Sequence, residues 1–282
     1  MMMTTANQST VSVLIAGATG KMGSEFVKTC LADDQLNLIA CTSRSAAGKD
    51  IFQALSLNID YHIPIFSGVP EAIATHGASI QVGVDLTHPS TVYGNALAMI
   101  EAGISPILGA TGLSETQLQS LDEKLKAKGL AGAYIPNFSI GAVLLMQFAA
   151  QAAKYFNHAE IIEMHHNQKA DAPSGTSLHT AELMQKNLGV GTTFSPTNGV
   201  EKETHAGARG ATTEGGIHIH SVRLPGLVAH QEVLFGEKGQ LLTLRHDSFD
   251  RTCFMAGIAL SVKKIRPMPA GLHRGLECFL EG

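Results

Sequence analysis

Apolar and polar residues follow one another along the first part of the chain in the order strand, glycine turn, helix, strand. Residues 11–16, VSVLIA, form the short apolar run of a buried strand, and GATGKMG at 17–23 follows directly. Met22, Phe26 and Cys30 then recur every four residues, which gives a helix one apolar face. LNLIAC at 36–41 predicts the next strand.

The same alternation continues to about residue 139. Candidate strands are SIQVGVDLT (79–87), SPILGAT (105–111) and GAYIPNFS (132–139), and the intervening segments STVYGNALAMIEAG and SETQLQSLDEKLKAKG predict helices. Strands that alternate with helices predict an α/β domain built on a doubly wound parallel sheet. We assign residues 1–137 to this domain.

The pattern changes after residue 137. HAEIIEMHH predicts a strand, SLHTAELMQKNL a helix, and GGIHIHSVRLPG with HQEVLFGEKGQLLTLRHDS antiparallel strands joined in part by a Gly-Glu-Lys-Gly hairpin loop. We expect a second, mixed α+β domain at 138–249, with a long surface loop at 190–216. The segment RTCFMAGIALSVKKI predicts a helix, so residues 250–282 are expected to pack back on the first domain.

Composition excludes several classes of protein. Of 282 residues, 44% are hydrophobic and 16% charged, and the net charge is −4, as in globular domains. A mildly acidic chain lacks the basic face that nucleic-acid binding needs. The most apolar stretch, SIGAVLLMQFAAQAA, is shorter than the roughly 20 residues that cross a bilayer, so we expect a buried helix and no membrane partner.

The cysteines and the first residues bear on the compartment. Cys30, Cys41, Cys253 and Cys278 are widely spaced and form no C-x-x-C pair, so neither a disulfide framework nor a cysteine zinc site is indicated. The start MMMTTANQST has no basic residue and no apolar core of a signal peptide, and we expect it to be a frayed tail. The sequence therefore predicts a cytoplasmic protein.

The glycine turn is the first candidate site. Gly17, Gly20 and Gly23 allow a tight turn, close approach of the backbone to a pyrophosphate, and close packing of the helix on the sheet. The N-terminus of the helix offers free N–H groups to an anion. An ordinary strand-to-helix turn is the alternative, but the position at the first β-α junction favours a dinucleotide cofactor.

The end of the second strand bears on the choice of cofactor. NAD-preferring sites place an acidic residue there to bind the ribose hydroxyls, and this chain has Thr42, Ser43 and Arg44 instead. A guanidinium can bind a 2′-phosphate through two hydrogen bonds, so we expect NADPH to be preferred while NADH remains possible. A solvated surface arginine is the alternative on these residues alone.

The segment EMHHNQKADAPSGTS at 163–177 is the second candidate site. Neighbouring side chains of a strand point to opposite faces, so His165 and His166 are expected to have different roles. Histidine can exchange a proton near neutral pH, and Lys169 can hold an anion or donate a proton. The Ser174-Gly175-Thr176 turn opens a helix whose N–H groups suit a carboxylate.

Less specific interpretations of this segment remain open. A histidine pair is often structural, Lys169 could be a surface lysine, and Asp171 could simply brace the loop. A metal site is a further alternative, because His218 and His220 share one face of a strand. No H-x-x-x-H pattern or acidic companion supports it, so no metal is predicted.

Taken together, GATGKMG, DLTHPS, GATGLS, PNFSIG and above all EMHHNQKADAPSGT resemble the 4-hydroxy-tetrahydrodipicolinate reductase (dihydrodipicolinate reductase) family of diaminopimelate and lysine biosynthesis. The resemblance runs from about Val11 to Ile265. It implies a Rossmann-like domain, a mixed α/β domain that binds substrate and builds a homotetramer, and NAD(P)H-dependent reduction of a cyclic imine that carries two carboxylates.

The resemblance also implies roles for individual residues. His165 matches the family's proton donor and acceptor, Lys169 its proton-donating lysine, and Ser174 belongs to the substrate-binding turn. Further substrate ligands would be His166, Gly175 and Thr176. The cofactor would be held by Gly17, Ala18, Thr19, Gly20, Lys21 and Met22 at the pyrophosphate, by Ser43 and Arg44 at the adenosine ribose, and by Gly109, Ala110, Thr111, Ile135, Pro136, Asn137 and Phe138 on the nicotinamide side.

The chain departs from the family pattern at two places. Many members carry a glutamate where Ser43 stands, and many carry R-x-G-D-x-x-G-E-H where this chain has RLPGLVAHQEV, which keeps Arg223 and His230 without the acidic residues. Two other functions remain as alternatives: another two-domain oxidoreductase acting on a semialdehyde or on homoserine, and a non-catalytic NADP(H) sensor. The first has no use for the His-His-Lys-Ser-Gly-Thr cluster, and the second would bind cofactor without consuming it.

Overall fold

The computed structural model describes residues 10–188, 193–194 and 202–280 and divides the chain into two compact units. One unit comprises the chain up to Ser139 and from Phe254 onward, and the other is Ile140–Cys253. The predicted tail at residues 1–9, and residues 190–192 and 195–201 of the predicted long loop, lie outside the described residues.

Strands and helices alternate through the first unit, and strands dominate the second. The first unit begins with β1 (Val11–Ala16), α1 (Gly23–Ala32), β2 (Leu36–Thr42), α2 (Ile51–Ala54), β3 (Ile65–Phe66), α3 (Val69–His76), β4 (Val82–Asp85), α4 (Pro89–Glu101), β5 (Ser105–Leu108), α5 (Glu115–Lys128) and β6 (Ala131–Tyr134). The second unit contains α6 (Ile140–Ala152), β7 (His158–His165), α7 (Gly175–Lys186), β8 (Ala211–Thr212), β9 (His218–Arg223), β10 (Ala229–Glu237) and β11 (Gln240–Ser248). The chain then returns to the first unit with α8 (Met255–Lys264) and β12 (Gly271–Arg274).

The first unit is a seven-stranded sheet in the order β12-β6-β5-β4-β1-β2-β3, and every pairing in it is parallel. This confirms the predicted doubly wound sheet. The central strands are apolar on both faces because helices cover both, and Val13, Leu14 and Ile15 of β1 are wholly buried. β3 and β12 were not predicted, since two- and four-residue strands carry too little pattern to recognise.

Several predicted strands are shorter in the structure because local side-chain bonds turn the chain away from the sheet. β4 ends at Asp85, whose carboxylate accepts the N–H of Thr87, and β6 ends at Tyr134, shortly before Asn137 accepts the N–H of Ser139. The sequence does mark the ends of α5. Ser114 and Gln117 form a capping box at its start, and Gly129 ends it with a φ of +65°.

The second unit is a five-stranded sheet in the order β11-β10-β7-β9-β8. β10 is antiparallel to both β11 and β7, and the turn between β10 and β11 needs only Lys238 and Gly239. β9 is antiparallel to β8 and runs opposite to β10, as predicted for antiparallel strands, but it pairs with β7 in parallel, and that pairing was not predicted. The period of two in HIHSVR indicates a strand but contains no information on its direction.

Helices α6 and α7 cover one face of this sheet around Ile161, Val233 and Phe235, which are wholly buried. The apolar stretch predicted as a buried helix is α6, although Phe148 on its outer side is half exposed. Within the described residues, we find no helix with the length and apolar character needed to span a bilayer.

Substitution by alanine should have opposite effects on stability at two glycines that lie inside helices. A Cβ at Gly257 in α8 would lie 2.0 Å from the backbone oxygen of Phe138, whereas a Cβ at Gly94 in α4 would meet nothing within 4 Å. We expect Gly257→Ala to lower the free energy of unfolding by roughly 1–3 kcal/mol through overpacking. Gly94→Ala should raise it by about 0.5–1 kcal/mol, because alanine loses less backbone entropy. Urea unfolding checks both, and a Gly257→Ala protein as stable as wild type would contradict the packing.

Candidate active site

The glycine turn of the first unit lies between β1 and α1. Gly17 has a φ of +82°, and a Cβ at Gly23 would lie 2.1 Å from the oxygen of Gly17, so the turn can close only with glycine at both positions. The N–H groups of Gly17 and Ala18 are bonded to the carbonyl of Thr42. Lys21 is exposed beside the start of α1, where the helix N-terminus favours an anion.

A cavity of about 700 Å³ opens beside this turn. It brings together four of the predicted cofactor residues, Gly17, Gly20, Ser43 and Arg44. The hydroxyl of Ser43 lies 2.6 Å from that of Thr19 and 3.3 Å from that of Ser45, so hydroxyl groups stand where a ribose-binding carboxylate would be. Ser67, also in the lining, donates its N–H and its hydroxyl to Glu71, which was not foreseen from the sequence.

A second cavity in the same unit has a volume of about 290 Å³. Its lining includes five predicted residues, Met22, Gly109, Ala110, Pro136 and Phe138. Leu86, Thr87 and Phe254 complete it. Six predicted residues line neither cavity: Ala18, Thr19, Lys21, Thr111, Ile135 and Asn137.

Sequence reasoning missed the loop after β4, which lines both cavities through Leu86 and Thr87. The loop is held by Asp85, which is wholly buried and accepts bonds from the N–H and hydroxyl of Thr87 at 2.9 and 2.5 Å and from Asn95 at 2.7 Å. The signal was the polar run at the carboxyl end of a strand beside β1, where ligands bind in parallel sheets.

In the second unit, the predicted catalytic residues lie at the end of β7 and in the loop that follows it. His165 is the last residue of the strand, and its Nδ1 lies 2.5 Å from Oε2 of Glu163, two residues back on the same face. Glu163 is wholly buried, whereas the side chain of His165 is 15% exposed. His166 follows the strand and is exposed.

Arg223 from β9 binds the same carboxylate in a two-pronged arrangement. Its Nη1 and Nη2 donate to Oε2 and Oε1 of Glu163 at 2.8 and 2.7 Å. Nη2 also donates to the backbone oxygen of Asp171 at 2.8 Å, and the Asp171 carboxylate binds Lys169 at 2.7 and 2.9 Å. Arginine on one strand therefore connects the histidine to the loop that carries the lysine.

The predicted anion-binding turn begins at the same carboxylate. The N–H of Ser174 lies 3.3 Å from Oε1 of Glu163, and its hydroxyl caps α7 by accepting the N–H of Ser177. Gly175 is exposed and Thr176 is half-buried in the first turn of α7, which leaves their N–H groups at the free end of a helix. Ser177 is in turn fixed by Gln231 of β10 at 2.9 Å.

The electrostatics follow from these contacts. Burial raises the pKa of Glu163, but the bonds from Arg223, Ser221 and His165 outweigh it and leave the carboxyl pKa below its ordinary value. Burial lowers the pKa of the His165 imidazole, with Lys169 and Arg223 adding to this, and the bond to Glu163 offsets only part of the decrease.

The histidines considered for a metal have other partners. His220 lies 2.7 Å from Glu160, and His218 lies 3.2 Å from Thr212. Over the described ranges, no group of three or more His, Cys, Asp or Glu side chains is arranged to hold a metal ion. His230, kept from the family's motif, binds Asp247 of β11 at 2.7 Å on the sheet face opposite His165.

The chain matches two family models that together cover nearly all of it. Residues 11–138 match "Dihydrodipicolinate reductase, N-terminus", and residues 141–280 match "Dihydrodipicolinate reductase, C-terminus". The 4-hydroxy-tetrahydrodipicolinate reductase of Synechococcus elongatus is 45% identical over 96% of this chain and 98% of its own length. The reductase of the same name from Synechocystis sp. is 44% identical over 98% of this chain and 100% of its own.

Solved structures agree with these matches. A dipicolinate-bound dihydrodipicolinate reductase from Paenisporosarcina sp. TG-14 superposes with a TM-score of 0.83 at 40% identity, over 95% of this chain and 99% of that chain. An amine dehydrogenase from Mycobacterium smegmatis, at 13% identity and a TM-score of 0.65, shares the fold alone. Because both family models match and the relatives are about 45% identical over nearly the full length, the chain belongs to the dihydrodipicolinate reductase family.

Proposed function

We propose that the chain reduces 4-hydroxy-tetrahydrodipicolinate to tetrahydrodipicolinate, via dihydrodipicolinate, with NADPH as its preferred cofactor and with His165 and Lys169 as its proton-donating residues. The 4-hydroxyl group leaves as water to give dihydrodipicolinate, and the hydride then adds to that conjugated ring. The reductase step in diaminopimelate and lysine biosynthesis is the activity of the family to which the chain belongs. The observation that carries the residue assignment is the convergence of His165 and the Ser174 turn on one buried carboxylate, Glu163, whose partner Arg223 also binds the backbone of the Lys169 loop.

The first unit fits a nicotinamide dinucleotide. The turn of Gly17 and Gly23 has no room for side chains, the free end of α1 favours an anion, and the two cavities are lined by nine of the predicted residues together with the Leu86–Thr87 loop. Residues of the turn would hold the pyrophosphate, Ser43 and Arg44 the adenosine ribose, and Gly109, Ala110 and Phe138 the nicotinamide side.

When bound, the cofactor supplies a hydride to the substrate ring. The chain's own residues handle the proton and the charge. Hydride addition leaves electron density on the ring nitrogen and the neighbouring carbon, and a protonated group nearby lowers the barrier as that charge develops. His165, whose Nδ1 is engaged by Glu163, would donate from Nε2. Lys169, held by Asp171, is the second proton donor.

A small dicarboxylate ligand is supported by the Paenisporosarcina reductase, which is bound to dipicolinate. In this chain, the two carboxylates of the substrate would be bound by His166, Lys169 and the Ser174-Gly175-Thr176 turn. Ammonium and imidazolium groups form charge-assisted bonds with carboxylates, and the first N–H groups of α7 add a favourable helix dipole. The second unit would therefore be the substrate-binding domain.

NADPH preference rests on Arg44 and Ser43. Arg44 is exposed in the lining of the larger cavity, and Ser43 offers a hydroxyl rather than a carboxylate, so the site attracts a 2′-phosphate and does not repel it. The carboxylate of Glu71 near this cavity is engaged by two bonds from Ser67, which limits its repulsion of a phosphate.

We further propose a homotetramer assembled through the second unit, in the cytoplasm. The sheet face opposite α6 and α7 carries apolar side chains that are only partly covered, Ile162, Met164, Val222, Leu234 and, at 68% exposure, Leu241. Pairing of such a face with other copies would remove it from water. A reducing compartment is supported by the four free cysteines, of which Cys30 and Cys41 are buried.

The reductase activity can be tested with substrate made in place. Pyruvate and aspartate semialdehyde are supplied with the preceding synthase, and the loss of NADPH fluorescence is followed with NADH in parallel. We expect oxidation that depends on the synthase and is faster with NADPH. Binding of NADPH without oxidation under any condition would contradict the proposal and favour the sensor.

His165→Ala and Lys169→Ala should each lower turnover by about 10² to 10⁴, which is the usual contribution of a positioned proton donor. NADPH affinity should change little in either variant, because both residues lie in the second unit. Single-turnover measurements and fluorescence titration check the two quantities separately. Wild-type turnover in both variants would exclude them as proton donors.

Arg44→Ala should weaken NADPH binding by about tenfold or more and leave NADH binding nearly unchanged, since only NADPH carries the 2′-phosphate. Lys21→Ala is the matched comparison. It removes a charge beside the pyrophosphate, which both cofactors share, and should weaken both equally. Equal losses for both cofactors in Arg44→Ala would show that Arg44 does not recognise the phosphate.

A further inference from the structure

Glu163 is an ionised side chain in an unusual position for a charge. Its carboxylate is wholly buried, yet hydrogen bonds keep its pKa below the ordinary value, so it carries a negative charge inside the protein. Burial of a charge is costly unless every acceptor is matched by a donor. An apolar residue at this position of β7 would pack with less cost, which indicates that the charge has a task beyond the fold.

The donors around Glu163 come from each part of the candidate site. The imidazole of His165 and the guanidinium of Arg223 share Oε2, while Arg223 and the N–H of Ser174 share Oε1. Ser174 opens the turn at the start of α7. One carboxylate therefore contacts the histidine and the anion-binding turn directly.

Arg223 extends these contacts to the lysine. Both terminal nitrogens of Arg223 bind Glu163, and Nη2 also donates to the backbone oxygen of Asp171. The carboxylate of Asp171 accepts two hydrogen bonds from Lys169. A lysine in place of Arg223 could not make the two parallel bonds and reach the loop as well, because its ammonium is a single point of charge. The order of contacts is His165, Glu163, Arg223, Asp171, Lys169.

We propose that Glu163 and Arg223 are positioning residues that hold His165 as an Nε2 proton donor and keep the Lys169 loop in register with it. The proposal rests on the proposed function, in which His165 and Lys169 donate protons. Because Nδ1–H of His165 is engaged by Glu163, the proton that leaves the ring must come from Nε2. Neither Glu163 nor Arg223 needs to contact the substrate.

A second consequence concerns proton affinity. Burial and the cations lower the pKa of His165, and Glu163 is the group that opposes them. Without the carboxylate charge, the imidazole would lose its proton at a lower pH, so a smaller fraction of the enzyme would carry the proton to be donated at neutral pH. The charged or titratable groups around His165 are Glu163 on its own strand, His166, Lys169 and Asp171 on the following loop, and Arg223 on β9, while β10 opposes it with Ala229.

The test is Glu163→Gln, which keeps the size and removes the charge. We expect turnover to fall by about 10- to 100-fold, while the dissociation constant of NADPH stays within about twofold. The pH above which activity is lost should move down, because an opposite charge nearby has been removed from an acid that must be protonated. A protein that lost only structure would not show this shift.

A double-mutant comparison shows whether Glu163 acts through His165. In the His165→Ala background, Glu163→Gln should cost much less than in the wild type, because His165 is already absent and only the effect on the Lys169 loop through Arg223 remains. The proposal would be overturned if the two losses of turnover multiplied in full in the double variant. It would also be overturned if Glu163→Gln alone kept the turnover and pH profile of the wild type. Wild-type turnover of His165→Ala alone would instead overturn the proton-donor assignment, so the two failures are distinguishable.

Arg223→Lys covers the case in which Glu163→Gln does not fold. It keeps the positive charge beside Glu163 and should lower turnover with NADPH affinity unchanged. Unaltered turnover would exclude Arg223 as a positioning residue. The matched control is Glu115→Gln in the first unit, which also removes a carboxylate from a two-pronged bond to an arginine, in this case Arg274 at 3.0 and 2.6 Å, and should behave as wild type.

Discussion

A carboxylate wholly removed from water must be surrounded by donors, and this requirement determines the arrangement of the second unit. Glu163 satisfies it with an imidazole, a guanidinium and a backbone N–H drawn from β7, β9 and the start of α7. The parallel pairing of β7 with β9 is what brings Arg223 opposite His165. If β9 were antiparallel, the arginine would lie at the other end of the sheet.

The first unit uses a buried carboxylate in a related way. Asp85 at the end of β4 is wholly buried and fixes Thr87 and Asn95 through neutral donors. Its task is to shape the loop that lines both cavities beside the glycine turn. In each unit, therefore, a carboxylate at or near the end of a central strand organises the loop that carries the chemistry, and of these two only Glu163 is bonded to an arginine.

The parts of the structure that depend on local pattern were predictable from the sequence. The glycine turn and the parallel sheet follow from spacing and periodicity. The short strands β3 and β12 and the parallel pairing of β9 with β7 were not predicted, because each depends on which distant segment pairs with it. Single-sequence patterns contain little of that information.

The same reason explains why the role of Glu163 was missed. The acidic residues absent from the RLPGLVAHQEV segment left Arg223 without an assigned partner, but its carboxylate comes from β7, sixty residues earlier. His230 likewise finds Asp247 on β11. Glu163 is the first residue of the motif EMHH, but only the folded sheet shows that the Glu163 side chain contacts both His165 and Arg223.

The most direct test of the central claim is the side-chain ¹⁵N NMR spectrum of the histidines, with a His165→Asn variant to assign the resonance of His165. Because Glu163 accepts from Nδ1, the neutral ring should carry its proton on Nδ1 and leave Nε2 bare. A neutral His165 with its proton on Nε2 and a bare Nδ1 would contradict the account.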